Sequence, residues 1–227
     1  MRIEVLAEDR SGLPVIEKIL RDELKGEGDE LSLHAHKGKG FLNPELSLPE
    51  KPLRGKAGLL DLLPLKLRAY QNLPQTMELL LVLVLDSDAD DPDALYQRIE
   101  ACIRRLCPRY YFVIGISIEE IESWILGDWQ AIAKAYPDAN YRLWKRYRQD
   151  SVCGTWEKLA GILEGKEKAR QLIELGYPAV GIYKAEWAQN ISPYIKAERN
   201  RSPSLQKFLK RFRQIYRLAK KRDGLSS

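Results

Sequence analysis

Leu79–Leu85 is a run of seven aliphatic residues with no polar interruption, closed by the acidic, proline-containing stretch "DSDADDPD". The run does not alternate, and a helix would need greater length, so it predicts a strand buried on both faces, the kind found in parallel sheets. "RIEVLAED" predicts an earlier strand ending at Glu8. "SGLPVIEKILRDEL" has helical spacing, with Ser11 near the cap and Pro14 in the first turn. "LSLHAHKGKG" alternates as a second, less buried strand, and Pro44, Pro49 and Pro52 mark a long loop. A helix from about Gly58 to Gln71 leads into the aliphatic strand, a helix from Asp93 follows it, and "YYFVIGIS" supplies a fourth strand. Strands alternating with helices predict an α/β fold with a mainly parallel four-stranded sheet flanked by helices. Beyond Glu119 the pattern is helical, broken at Pro137, Gly154, Gly165, the "GYP" at Gly176 and Pro193. The expected organisation is an α/β core over residues 1–136 and a helical C-terminal extension over 137–227, packed on it as one globular unit.

Composition narrows this picture. A chain of 227 residues, 44% hydrophobic and 30% charged, can bury one good core. No apolar run is long enough to cross a bilayer and "MRIEVLAEDR" lacks signal-peptide character, so no membrane association and a cytoplasmic location are expected. Cys102, Cys107 and Cys153 are odd in number and lack CxxC spacing, which points to reduced packing residues rather than a disulfide framework or a zinc site. The net charge of +5 is unevenly spread, because residues 196–227 hold eleven basic and two acidic residues. There Leu205, Phe208, Leu209, Phe212, Ile215 and Ala219 recur at helical spacing, with Lys207, Lys210, Arg211, Arg217 and Lys221 on the other face. Such an excess favours a polyanion, and Lys207, Lys210 and Arg211 are the expected nucleic-acid rail.

The candidate chemistry lies where the strands end. Glu8 follows the first strand, Asp86 and Asp88 the third, and "SIEEIESWILGD" brings Glu119, Glu120 and Glu122 after the fourth. In α/β sheets ligands bind outside the carboxyl ends of strands. Residues two apart on an extended chain point the same way, so Asp86 and Asp88 are expected to converge. Glu119 and Glu122, three apart, are expected to share a helix face, with Ile118, Ile121 and Ile125 as its buried stripe and Glu120 towards solvent. Crowded carboxylates repel unless a cation neutralises them, and paired hard oxygen donors suit Mg²⁺ or Mn²⁺. An EF-hand loop from Asp86 fails, because it would need Gly at Asp91 and Glu at Gln97. A phosphatase-type Asp-x-Asp would belong to the first strand. Asp90, Asp91 and Asp93 read more simply as acids complementing a helix N-terminus.

Glu after the first strand with Asp-x-Asp after the third resembles the Toprim domain of topoisomerases, primases and OLD-family nucleases. "ISIEEIESWILGD", "DSVCGTWEKL", "YKAEWAQNI" and "ERNRSPSLQKF" are similar to an uncharacterised bacterial family of Toprim-like proteins, often encoded beside an ATPase gene. Ser117 and Glu119 match a Ser-x-Glu motif that follows the fourth strand in OLD nucleases. The Lys closing that motif falls on Ile121, and the Glu-Gly-x-x-Glu start reads "EDRSG", with Asp9 for Gly and Gly12 for the second Glu.

The resemblance implies divalent-metal phosphodiester chemistry. Glu8, Asp86, Asp88 and Glu119 would be the catalytic residues, Glu8 as ligand or general base and the other three as ligands, with Glu122 close by in the metal site, and one metal site would be intact. Lys37 and Lys39, in a glycine-flanked turn, and Lys184, Arg199 and Arg201 are the candidate phosphate-binding cations. His34 and His36 read as structural. The expected function is a Mg²⁺- or Mn²⁺-dependent nuclease on DNA or RNA, working with an AAA- or ABC-type ATPase in defence against foreign DNA. The alternative is a non-catalytic subunit that binds nucleic acid or the ATPase. Oligomeric state is left open.

Overall fold

A computed structural model describes residues 1–24, 28–46, 57–74 and 76–223. Pro49 and Pro52 lie outside the described residues. The α/β part runs β1 (Arg2–Ala7), α1 (Leu13–Glu23), β2 (Glu30–Ala35), α2 (Leu59–Gln71), β3 (Leu79–Asp86), α3 (Pro92–Leu106) and β4 (Tyr111–Ser117). The helical part runs α4 (Glu122–Leu126), α5 (Trp129–Ala135), α6 (Tyr141–Lys145), α7 (Thr155–Leu163), α8 (Lys166–Leu175), α9 (Ala179–Ile191), a short 3₁₀ turn (Ser192–Tyr194) and α10 (Pro203–Asp223).

The four strands form one parallel sheet in the order β2-β1-β3-β4. From β1 the chain crosses outward to β2, and from β3 it crosses in the opposite direction to β4. The direction therefore reverses between β1 and β3, and a crevice opens there at the strand ends. The register sets Ala7 beside Val84, and Asp86 beside Ser117, so Glu8 and Asp86 border that crevice.

The aliphatic run is buried on both faces. Leu80, Val82 and Val84 enter a core with α1 and the helical extension, while Leu79, Leu81, Leu83 and Leu85 pack beneath α2 and α3. The first of these cores takes side chains from both sides of residue 136, including Val15, Trp124, Trp187 and Phe212. Helix α10 lies along β4. Its Leu205, Phe208, Leu209, Phe212 and Ala219 are buried as their spacing predicts, and Phe208 stacks on Trp124 with centroids 5.4 Å apart. Gly115 leaves the room, since a Cβ there would stand 2.8 Å from Phe208 Cδ2.

Cys102 and Cys107 are buried in the second core, where burial pushes both thiols up to about 11. Cys153 is exposed. Among the described residues no helix is long and apolar enough to cross a membrane. At the start of α1 the N-cap residue is Gly12, next to Ser11, and no side chain makes the cap hydrogen bond. Asp9 Oδ1 accepts from the Gly12 N–H at 3.1 Å and, like its Oδ2, from the Ser11 hydroxyl at 3.0 Å.

Candidate functional site

Glu8 stands one residue past β1 and is held from both sides. Its N–H donates to the Val84 carbonyl, and its own carbonyl accepts from the Gly38 N–H. That placement aims the side chain across the crevice, where Glu8 Oε2 accepts the backbone N–H of Asp86 at 3.0 Å. Asp86 keeps some solvent contact, but its carboxyl is enclosed by protein, and Oδ1 accepts the Ser117 hydroxyl at 2.5 Å. Burial, reinforced by Glu8 and then Glu122, lifts Asp86 well above the carboxylate range against the pull of Ser117 and Lys184. Burial likewise lifts Glu8 to about 7; the Asp86 N–H and Lys39 oppose this, while Asp88 and Asp9 add to it. Next to the pair lies a cavity of about 10 Å³, bounded by Glu8, Asp9, Gly12, Ile16, Asp86 and Ile121. That is about the space of one water molecule. A Cβ on Gly12 would come within 3.3 Å of Ile121, so the absence of a side chain lets the start of α1 approach Ile121 closely.

A second charged group sits behind the first. Lys184 on α9 is buried, with Nζ 3.1 Å from Glu120 Oε1 and 3.3 Å from Glu122 Oε2. Burial opposes its charge, but Glu122 and Glu120 overcome that and raise its pKa. Glu122 is itself lifted to about 7 by burial, despite Lys184. Glu122 Oε2 receives no aligned hydrogen bond. Glu120, expected towards solvent, instead bonds Lys184 and accepts from the Trp156 N–H. The sequence held a signal for this: Lys184 lies four residues after Val180 and three before Trp187, on the buried face of α9.

Two expected ligands point elsewhere. Asp88 does not converge with Asp86, because β3 ends at Asp86 and Asp88 turns with φ +48°, which breaks the two-residue alternation. Its carboxylate meets Lys39 Nζ at 2.6 Å. Glu119 does not share a helix face with Glu122: it adopts φ +62°, and α4 begins only at Glu122. Its carboxylate accepts the N–H groups of Cys153, Gly154 and Thr155 and the Thr155 hydroxyl, at the start of α7. Burial opposes, but these donors, the Thr155 hydroxyl foremost, hold Glu119 below the usual range.

Lys39 is set by the turn after β2, between Gly38 (φ +89°) and Gly40 (φ +70°), and spans Asp88, Asp90 at 2.9 Å and the Ser87 carbonyl at 3.0 Å. Lys37 is exposed. Arg199 is engaged away from the crevice, with Nε 2.8 Å from Asp128 Oδ1, and Arg201 lies over the Trp144 ring at 5.8 Å. His34 meets Glu4 at 2.5 Å, and His36 Nδ1 meets the Ala7 carbonyl at 2.8 Å. Asp91 caps α3 by accepting the Ala94 N–H at 2.7 Å.

Five converging carboxylates are thus corrected to a pair, Glu8 and Asp86, with Glu122 in electrostatic reach. Among the described residues no group of three or more His, Cys, Asp or Glu side chains is arranged to hold a metal ion. Two neighbouring carboxyls of raised pKa match the ligand number that one Mg²⁺ takes, while the cavity beside them has space for a single water and not for an ion with its hydration shell. Mg²⁺ commonly keeps several waters and takes only one or two carboxylates. They do not fit a two-ion centre. Comparison of the chain with family models, with curated proteins and with solved structures returns no match.

Proposed function

We propose that the chain is a Toprim-like nuclease that hydrolyses phosphodiesters of DNA or RNA with one Mg²⁺ or Mn²⁺ ion. The observation that carries this reading is the Glu8–Asp86 pair, two carboxyls lifted by burial, Asp86 further by Glu8, at the point where the sheet reverses direction. Glu8 and Asp86 would hold the ion, and Asp88 would join them on leaving Lys39. Bound there, the ion would lower the pKa of a water and neutralise a phosphate. Because burial lifts Glu8 to about 7 without a cation, binding of the ion near neutral pH would release its proton. Lys39, once freed, can meet a phosphate from its glycine-flanked turn. Action beside an AAA- or ABC-type ATPase in defence against foreign DNA rests on the family resemblance alone.

A second reading is a non-catalytic subunit that binds nucleic acid or an ATPase. One observation favours it: Lys39 bridges Asp88 and Asp90, and Lys184 bridges Glu120 and Glu122, so ammonium groups already neutralise the acids flanking the pair. Plasmid and RNA cleavage in Mg²⁺, Mn²⁺ or Ca²⁺, together with Mn²⁺ calorimetry, separates the two. The nuclease reading expects Mn²⁺ binding and cleavage, both lost in Asp86→Asn. Absence of cleavage with an ATPase partner and ATP supplied would leave the binding reading. Undiminished cleavage by Asp86→Asn would place the chemistry elsewhere.

A further inference from the structure

The outer edge of β4 carries a groove that the proposed chemistry does not use. Ser117 accepts the Ser87 N–H through its carbonyl, so it faces β3, and alternation turns Val113 and Gly115 the same way. The N–H and C=O groups of Phe112, Ile114 and Ile116 then point outward. Among the described residues no strand pairs with β4 on that side. Helices α3 and α10 rise on either side of this edge and leave two cavities along it. One, of about 510 Å³, is floored by Ile114, Ile116 and Phe208 and walled by Tyr96. The other, of about 440 Å³, runs past Tyr111, Phe112 and Ile215.

Arg211 lines both cavities, so they meet at its side chain. Its Nε is buried and has no hydrogen-bond partner, which is a costly state for a cationic donor. Further basic groups rim the groove: Lys207 towards the C-terminal end of the strand, and Arg104, Arg109 and Arg222 towards the other. Lys207 closes its end by an ion pair to Asp93 at 3.1 Å, with both side chains 77% exposed, a contact of small worth that a ligand can displace.

We infer that this groove binds an extended acidic peptide of a partner protein, which adds to β4 as a fifth strand and sets a carboxylate on Arg211. An open edge offers alternating donors and acceptors that only another backbone matches in register, and alternate side chains of the added strand would sit on the apolar floor. A seven-residue edge spans roughly 23 Å at strand rise, and the lining of the two cavities runs along it from Tyr111 to Ile118. The unpartnered Arg211, with Lys207, Arg104, Arg109 and Arg222 outnumbering Asp93 and Asp150 in the lining, selects for acid. A nucleic acid would meet an isoleucine floor where it needs cations. The inference does not depend on the nuclease reading.

The test screens the full chain against synthetic peptides of about eight residues. One pool fixes a central Glu among randomised neighbours, and a second fixes Lys in its place. Expected is selective binding from the Glu pool. The tightest member should weaken at least about thirtyfold against Arg211→Glu, as when a buried charge loses its partner. It should also lose binding when alternate amides of the peptide are N-methylated, a readout independent of the variant's folding. Binding weaker than ~1 mM throughout the Glu pool, equal binding of both pools, or tolerance of N-methylation on both alternations would overturn the inference, since an added strand needs one of the two sets of amides and turns the other to solvent. So would a dimer in sedimentation that Arg211→Glu dissociates, since the groove would then be an interface between copies. Displacement of the bound peptide by a short oligonucleotide whose own binding is lost in Arg211→Glu would likewise assign the groove to nucleic acid.

Discussion

Lys184 shows how much of the site depends on single charges. Its ammonium is buried between Glu120 and Glu122, and Glu122 in turn raises Asp86. Removing one partner of a buried ion pair leaves the others uncompensated, at a cost of about 3–5 kcal/mol. Lys184→Met, which keeps most of the side-chain volume, should therefore destabilise the fold by that amount at pH 8. Glu122 titrates near 7 in the folded chain and near 4.5 when unfolded. Between those values the folded state keeps a proton that the unfolded state has lost, so its contribution to stability falls as pH rises through the window. Without the ammonium the folded pKa rises further. The loss in Lys184→Met should thus be smaller at pH 5 than at pH 8, as read by urea unfolding. An equal loss at both values would mean that Lys184 acts through packing alone. At this scale the sequence made Glu8 and Asp86 legible, because regular strands place them. Asp88 and Glu119 were not legible, because each adopts a positive φ that no alternation rule anticipates.

Long elements were legible because their periods repeat. The seven-residue aliphatic run is β3, and the spacing of Leu205, Phe208, Leu209 and Phe212 is the buried face of α10. Helices α4 and α6 have five residues each, too few for a 3.6-residue period to declare itself, so the extension could be predicted as helical but not divided. The contact that seats α10 was also hidden: "VIGIS" reads as an ordinary strand, and only the fold shows Gly115 under Phe208. Gly115→Ala would put its Cβ 2.8 Å from the ring, and overpacking of this kind costs about 1–3 kcal/mol. Adding Phe208→Leu should recover part of that loss, because the smaller side chain vacates the contact. Chemical unfolding of the two single variants and the double variant measures the coupling, and strict additivity of their losses would show that α10 does not rest on Gly115.

Across the whole molecule, the basic excess of residues 196–227 was plain in the sequence, but the residues that remain available were not. Acids from distant segments neutralise several of them. Arg213 pairs with Glu23 of α1 at 2.5 Å, Lys220 with Asp29 at 3.0 Å, Arg199 with Asp128, and Lys207 with Asp93 of α3. Counting charges along a helix cannot reveal such partners, since they arrive from elsewhere in the fold. Lys210, Arg217 and Lys221 are exposed on α10 and border a shallow concavity of about 670 Å³. None of the three has an ion-pair partner among the described residues. Of Lys207, Lys210 and Arg211, the expected nucleic-acid rail, Lys210 lies beside Arg217 and Lys221, while Lys207 and Arg211 turn to the β4 groove. If this face meets nucleic acid, each phosphate contact with a single strand steepens the slope of log affinity against log salt by about 0.7, through counterion release. Changing Lys210, Arg217 and Lys221 together to Gln should flatten that slope by about 2 and weaken binding across sequences alike. Changing Arg213 and Lys220, whose charges are already spent on Glu23 and Asp29, should alter the slope little. Fluorescence anisotropy of a labelled single strand at several salt concentrations distinguishes the sets, and equal slopes for both would rule out the outer face of α10 as the polyanion surface.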